Sequence, residues 1–168
     1  SAREGKTTCE LLDEGETHGF IAPRPPRGAA ASNPDVGWLF DDPTAVAKDY
    51  YRRTGIFPIM HVVGIRKELA QQHRWLPGAI FKAFSESKTR ALELLADTSA
   101  TKVTLPSVEE QLKAARETLG QDFWSYGVEA NRRTLDAFVR HHHAQGLSAR
   151  KLAVEELFDP ATYESYSI

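Results

Sequence analysis

One cysteine, Cys9, and one methionine, Met60, stand in 168 residues. A lone thiol excludes an internal disulfide and any zinc site built from several thiolates. Placed before Glu10-Leu11-Leu12, it reads as a small side chain packed on a helix. No apolar run approaches the ~20 residues that a membrane-spanning helix needs. Lys and Arg number 21 against 23 Asp and Glu, a formal net charge of −2 with no basic block, so composition points to neither nucleic acid nor a membrane as a partner. The chain also lacks a phosphate-binding glycine loop, a nucleophile-elbow serine, a cysteine–histidine arrangement and a His-Glu-x-x-His pair, so covalent catalysis is not indicated. Repeats and long low-complexity segments are missing too. What remains is ordinary for a globular chain: 41% apolar and 26% charged residues, enough for one domain with a core. The first residues, Ser1-Ala2-Arg3-Glu4-Gly5-Lys6, show neither an initiating Met nor a signal-peptide pattern. The expectation is a chain that begins mid-fold, with a first part absent.

The most informative stretch is Tyr50-Tyr51-Arg52-Arg53-Thr54-Gly55-Ile56-Phe57-Pro58-Ile59-Met60-His61-Val62-Val63-Gly64-Ile65-Arg66. A helix ending in paired aromatics and paired arginines stops at a glycine, and an apolar run with one embedded histidine follows. Polar groups drawn toward a core without partners are costly unless a fold or a ligand satisfies them. That makes the stretch a candidate site for an anionic small molecule.

Along the chain, Thr7 to Glu14 reads as the end of a helix stopped by Gly15, and Phe20-Ile21-Ala22 as a short strand entering the proline loop Pro23-Arg24-Pro25-Pro26-Arg27-Gly28. Ala29 to Pro34 reads as mobile. Val36 to Phe40 is a second short strand or crossover. Asp41-Asp42-Pro43 opens a helix to about Arg53, with Gly55 as its left-handed stop. Phe57 to Ile65 is the strongest strand pattern, with Pro58 at its entry. Helices follow over Lys67–Gln72 and Pro77–Leu95, the latter with Ile80, Phe84, Ala91, Leu94 and Leu95 on one face. A capping box at Ser107-Val108-Glu109-Glu110 opens a helix through Leu119 to Gly120. Another spans Glu129 to Gln145 before Gly146, and a last turn covers Val154 to Phe158. A few strands tied to helices, then a helical tail, predict an α/β fold whose sheet is completed by something outside the chain.

Each candidate residue has a bland alternative. Arg52 and Arg53 could clamp a carboxylate with a planar fork, or be a solvated helix end where cations suit the dipole. His61 could donate a proton near neutral pH, or be a core histidine bonded to backbone. Arg24 and Arg27 flank a rigid loop that suits a ligand or an exposed hinge equally; His18 and Arg66 are weaker candidates. His141-His142-His143 fan over ~200° of a regular helix, so they cannot converge on one metal ion, and a solvated face is the better reading. Phe123-Trp124-Ser125-Tyr126-Gly127 either walls a pocket or pins the helical tail to the body.

Three stretches together, Tyr51-Arg52-Arg53-Thr54-Gly55-Ile56-Phe57-Pro58-Ile59-Met60-His61, Ile21-Ala22-Pro23-Arg24-Pro25-Pro26, and Trp124-Ser125-Tyr126-Gly127-Val128-Glu129-Ala130-Asn131 through Gly146-Leu147-Ser148, resemble the 4,5-dihydroxyphthalate decarboxylases. The resemblance covers nearly all of the chain and would match the carboxyl-terminal half of a member about twice as long. It implies a fold like the type 2 periplasmic solute-binding proteins: two α/β lobes, a hinge crossed twice and a cleft between them. Residues 1–37 would then end one lobe, 38–56 cross the hinge and form a helix, and 57–168 supply part of the other lobe with a helical tail.

The implied chemistry is decarboxylation of a hydroxylated aromatic dicarboxylate. On that reading His61 is the proton donor, Arg52 or Arg53 the carboxylate clamp, and Arg24 a second anion contact. Tyr51 and Phe57 form the ring slot, with Thr54 among the substrate-binding positions. The resemblance implies no organic cofactor and no metal ligand set, leaves metal assistance open, and is compatible with a homo-oligomer and a cytoplasmic location. The competing class is a non-catalytic solute-binding protein, periplasmic, delivering a small organic anion to an ABC-type transporter. A third is an orphan lobe without activity.

Overall fold

Six α-helices and four 3-10 turns make up the regular structure of residues 5–99 and 103–163, which the computed structural model describes. The chain divides into two units, Ser1–Val46 and Ala47–Ile168.

In the first unit, helix α1 (Thr8–Asp13) begins at a true capping box. The Thr7 hydroxyl accepts from the Glu10 amide at 3.3 Å, and the Glu10 carboxylate accepts from the Thr7 amide at 2.7 Å. Two donors that a helix start leaves unpaired are satisfied reciprocally. The Thr7 amide first, and then the Thr7 hydroxyl, which also donates to the carboxylate at 2.8 Å, hold the Glu10 carboxyl below the usual carboxylate range. Gly15, at φ 72°, ends the helix as its position in the sequence predicts. Leu11 on α1 and Ala30 in the 3-10 turn Gly28–Ala31 are buried. The Asn33 amide ties the two elements by donating to the backbone and carboxylate oxygens of Asp13 at 3.2 and 2.9 Å. Part of the stretch expected to be mobile is therefore a packed turn.

Helix α2 (Pro43–Thr54) starts where the Asp42 carboxylate accepts from the Ala45 amide at 2.9 Å. In the second unit come α3 (Lys67–Gln72), α4 (Leu76–Ala96), α5 (Val108–Leu119) and α6 (Arg132–Ala144). Ser107 precedes α5 at φ 60° without a side-chain cap bond, so the capping box expected there does not form. A core of Val128, Leu135, Val139 and Val154, with Phe158 and Tyr163 packed on it, joins α6 to the end of the described chain. Two backbone bonds close this corner: Val128 N–H to the Thr162 carbonyl at 3.2 Å and Glu129 N–H to Tyr163 at 2.9 Å. Arg132 adds ion pairs to Glu129 and Glu155, and Arg150 pairs with Glu156.

The α/β expectation is overturned: among the described residues there is no strand and no sheet, and the two-lobed periplasmic-binding-protein-like architecture is not what the chain forms. The physical reason is the lack of a neighbour. A strand exists only as part of a ladder of inter-strand hydrogen bonds. Residues 20–22, 36–40 and 57–65 have the apolar, β-branched composition of strands, but no second stretch pairs with any of them among the described residues. Their side chains face outward instead: Leu39 is 86% exposed, Trp38 78% and Val62 69%, and Ile21 is fully exposed. The apolar face expected on α4 is also largely open, with Phe84 and Leu94 exposed and only Pro77 and Ser85 buried on that helix.

Candidate functional site

The carboxyl end of α2 is where the candidate residues gather. Gly55 stops the helix at φ 64°, a left-handed conformation that costs a residue with a Cβ about 1–2 kcal/mol. Its amide donates to the Tyr51 carbonyl at 2.6 Å. The Thr54 hydroxyl donates to the Tyr50 carbonyl at 2.7 Å and accepts from the Ile56 amide at 3.1 Å, so it closes the turn from inside. The last carbonyls of a helix need outside donors. The one at Thr54 finds it in α6, where Arg133 Nη1 donates at 3.0 Å.

Past the turn, Phe57 meets the aromatic loop. Its ring stands edge-on to Trp124 with centroids 5.7 Å apart and planes at 66°, a favoured arrangement for two aromatic rings. Thr134 Oγ1 lies 3.4 Å from the Phe57 carbonyl, and the Tyr51 hydroxyl lies 3.4 Å from the Leu119 carbonyl, both long for hydroxyl bonds. The loop itself is anchored from two sides. The Asn131 side-chain amide donates to the carbonyls of Ser125 and Gly127 at 3.0 and 2.8 Å. Lys88, its side chain 15% exposed, pairs through its ammonium with Asp122 at 2.6 Å, donates to the Trp124 carbonyl at 3.2 Å and lies over the Tyr126 ring. The loop is thus pinned at both ends while the Trp124 ring still meets Phe57.

The residues expected to carry the chemistry fall into three groups. Tyr51, Arg52, Arg53, Thr54 and Phe57 lie together on the end of α2 and the turn after it. His61 follows in the irregular stretch, exposed and with no hydrogen-bond partner among the described residues. Arg24 is exposed in the first unit, as are Arg27 and His18. The two arginines on α2 differ in their commitments. Arg53 Nε is paired with Asp49 one turn earlier at 2.7 Å, whereas Arg52 has no ion-pair or hydrogen-bond partner among the described residues. An exposed guanidinium without a carboxylate is a ready fork for an anion.

The three histidines of α6 occupy its last turn, near the negative pole of the helix, and the His142 ring lies 5.6 Å from that of Phe138. Among the described residues no group of three metal-ligating side chains comes together. Nor is any helix of the described residues long and apolar enough to cross a membrane. Sequence reasoning missed Arg133, Lys88 and Asn131. Two of them act on residues brought near by the fold: Arg133 and Thr54 are 79 positions apart, Lys88 and Trp124 36, and no local pattern signals such pairs, whereas Asn131 bonds to Ser125 and Gly127 only six and four positions back.

No protein-family model matches the chain. The chain is 52% identical over all of its 168 residues to a curated 4,5-dihydroxyphthalate decarboxylase from Comamonas testosteroni. It spans 51% of that relative's length.

Proposed function

We propose that this chain, which belongs to the 4,5-dihydroxyphthalate decarboxylase family, supplies anion-holding and proton-donating groups to a lyase acting on a hydroxylated aromatic dicarboxylate such as 4,5-dihydroxyphthalate. The identity of 52% over the whole chain is the observation that carries this reading.

The reaction needs little machinery. A ring hydroxyl para to the departing carboxylate pushes electron density onto the carbon that bears it. The His61 imidazolium delivers a proton to that carbon. The carbon–carbon bond breaks, carbon dioxide leaves, and the bonding pair returns to the ring and restores aromaticity. His61 then regains its proton from water. Two charged carboxylates must be held while one departs, so a cation must grip the one that stays. Arg52 suits this better than Arg53, because Arg53 is already paired with Asp49. Phe57, braced by Trp124, offers a flat apolar wall for the ring, and Tyr51 flanks it. Thr54 has spent its only hydroxyl hydrogen on Tyr50, so toward a carboxylate it serves by shaping the turn rather than by donating.

The test is to incubate the full-length gene product with 4,5-dihydroxyphthalate and follow carbon dioxide and protocatechuate. Both products are expected. Replacing the proton donor, His61→Ala, should lower kcat about 10²- to 10⁴-fold with the fold intact, the usual contribution of a positioned general acid. Undiminished turnover in that variant removes His61 from the role, and tight binding without turnover in the parent protein removes the lyase.

A further inference from the structure

We propose that Arg133 is a positioning residue for the substrate turn: it fixes how Arg52 and Phe57 leave the end of α2, and thereby the grip on the retained carboxylate. This rests on the decarboxylase reading above for its functional part and on geometry alone for its structural part.

Three observations converge. The guanidinium of Arg133 donates to the Thr54 carbonyl at 3.0 Å, at the end of a helix where an orphan acceptor and the negative pole of the dipole both favour a cation. The same guanidinium lies against Gly55, where a Cβ would crowd Nη1, so the glycine leaves room for Arg133 as well as for its own backbone. Arg133 also has no carboxylate partner among the described residues. Its neighbour Arg132, by contrast, is held by Glu129 and Glu155, which together raise its pKa, the Glu129 bond most. Two adjacent arginines on α6 therefore have different work. Arg132 closes the corner around the core, while Arg133 reaches across 79 positions of sequence to one backbone oxygen. Thr134 approaches Phe57 from the next position of the same helix, and Trp124 braces the Phe57 ring from the loop before it. The turn from Thr54 to Phe57 is thus docked on residues 124–134 at three points, and the charged one is Arg133.

A surface clip would stabilise the chain and leave catalysis alone. A positioning residue should move the substrate constants with little change in stability. The experiment compares Arg133→Ala and Arg133→Lys with the parent in the full-length protein, measuring kcat and KM for 4,5-dihydroxyphthalate, the thermal midpoint, and the rate of tryptic cleavage after Arg52 and Arg53 under native conditions. We expect the alanine variant to raise KM about tenfold or more while kcat falls less, since small misplacements of a binding group are costly. Lysine, which keeps the charge but not the fork, should recover part of the loss and covers the case in which the alanine variant does not fold. Cleavage after Arg52 or Arg53 should be several-fold faster in the alanine variant. A kcat/KM within twofold of the parent, or a loss that tracks only the folded fraction, overturns the proposal. If the parent itself neither binds nor turns over the substrate, the decarboxylase reading fails. Arg133 is then judged on proteolysis: faster cleavage sustains its hold on the turn, and an unchanged rate overturns it.

Discussion

Replacing Gly55 by alanine perturbs two things at once, and they can be separated. The first is backbone strain. At φ 64° an L-residue with a Cβ loses about 1–2 kcal/mol relative to glycine. The second is the neighbour. The new methyl would crowd Arg133 Nη1, so the guanidinium must shift away, and the expected result is loss of its bond to the Thr54 carbonyl. Such a bond contributes about 0.5–1.5 kcal/mol, and the lower half of that range applies because Arg133 is exposed and water competes for it. The sum for Gly55→Ala is about 1.5–3 kcal/mol, or a fall in the melting midpoint of roughly 3–12 °C for a chain of this size. The informative number is the coupling. In an Arg133→Ala background only the strain remains, so the double variant should be more stable than additivity predicts by about 0.5–1 kcal/mol. Gly55→Asn isolates the other half, because asparagine tolerates the left-handed conformation while its Cβ still displaces the guanidinium. The assay is urea unfolding followed by far-UV circular dichroism, read from midpoints at constant slope. Additivity of Gly55→Ala and Arg133→Ala within about 0.3 kcal/mol would mean the two residues do not share the turn, and the account of the site would be refuted.

Other expectations bear on the scaffold. Leu135→Ala removes a buried member of the cluster with Val128, Val139 and Val154 and should cost about 2–5 kcal/mol in the same unfolding assay; a cost below 1 kcal/mol would mean that this cluster is not a packed core. Acid should weaken the corner near the end of the described chain. The Glu156 carboxyl is pushed down to about 2, first by its bond to Arg150 and then by the Ala153 amide, and Glu155 is lowered in the same direction by its own backbone and by Arg132. A carboxyl whose folded pKa is depressed stabilises the fold above its unfolded value and loses that contribution as pH falls toward the folded one. The unfolding midpoint should therefore drop between pH 4.5 and about 2, and Glu156→Gln should flatten part of that slope. An unchanged slope in that variant would show that the Arg150–Glu156 pair does not contribute.

What the sequence makes legible here is what is decided within four residues. Asp42 before Pro43 and the glycines at 15, 55, 120 and 146 are signals whose partners are their own near neighbours, and the helix ends fall at or within a residue or two of where those signals put them. The start of α1 is the exception: its capping box at Thr7 and Glu10 lies where the sequence reading has only the end of a helix. Lys67–Gln72 is bounded as its pattern predicts. The strands fail for the opposite reason. Composition reports that Phe57 to Ile65 would suit a sheet, but a strand is defined by a partner, and the sequence carries no information that one is present. Ser107 fails more narrowly: its spacing to Glu110 matches a capping box, yet its left-handed backbone leaves the side chain without a cap bond.

The candidate site follows the same division. The paired arginines, Thr54, the glycine and Phe57 are adjacent in sequence, so their gathering at one helix end follows from the helix stopping there. What separates Arg52 from Arg53 is also local, one turn of helix to Asp49, and could have been read from the i,i+4 spacing. The residues that hold the turn in place could not. Lys88 reaches it only through the Trp124 carbonyl, and Arg133 only because the fold brings the start of α6 within reach of the Thr54 carbonyl. A turn whose candidate groups are exposed and whose backbone is held from below has a simple mechanical consequence. The exposed side chains of Arg52 and His61 can be changed at little cost to stability, since they have no hydrogen-bond or ion-pair partner among the described residues, whereas Gly55, half-buried at positive φ and close to Arg133, cannot. Function and stability should therefore separate cleanly along these ten residues, with losses of turnover at positions 52 and 61 and losses of both at position 55.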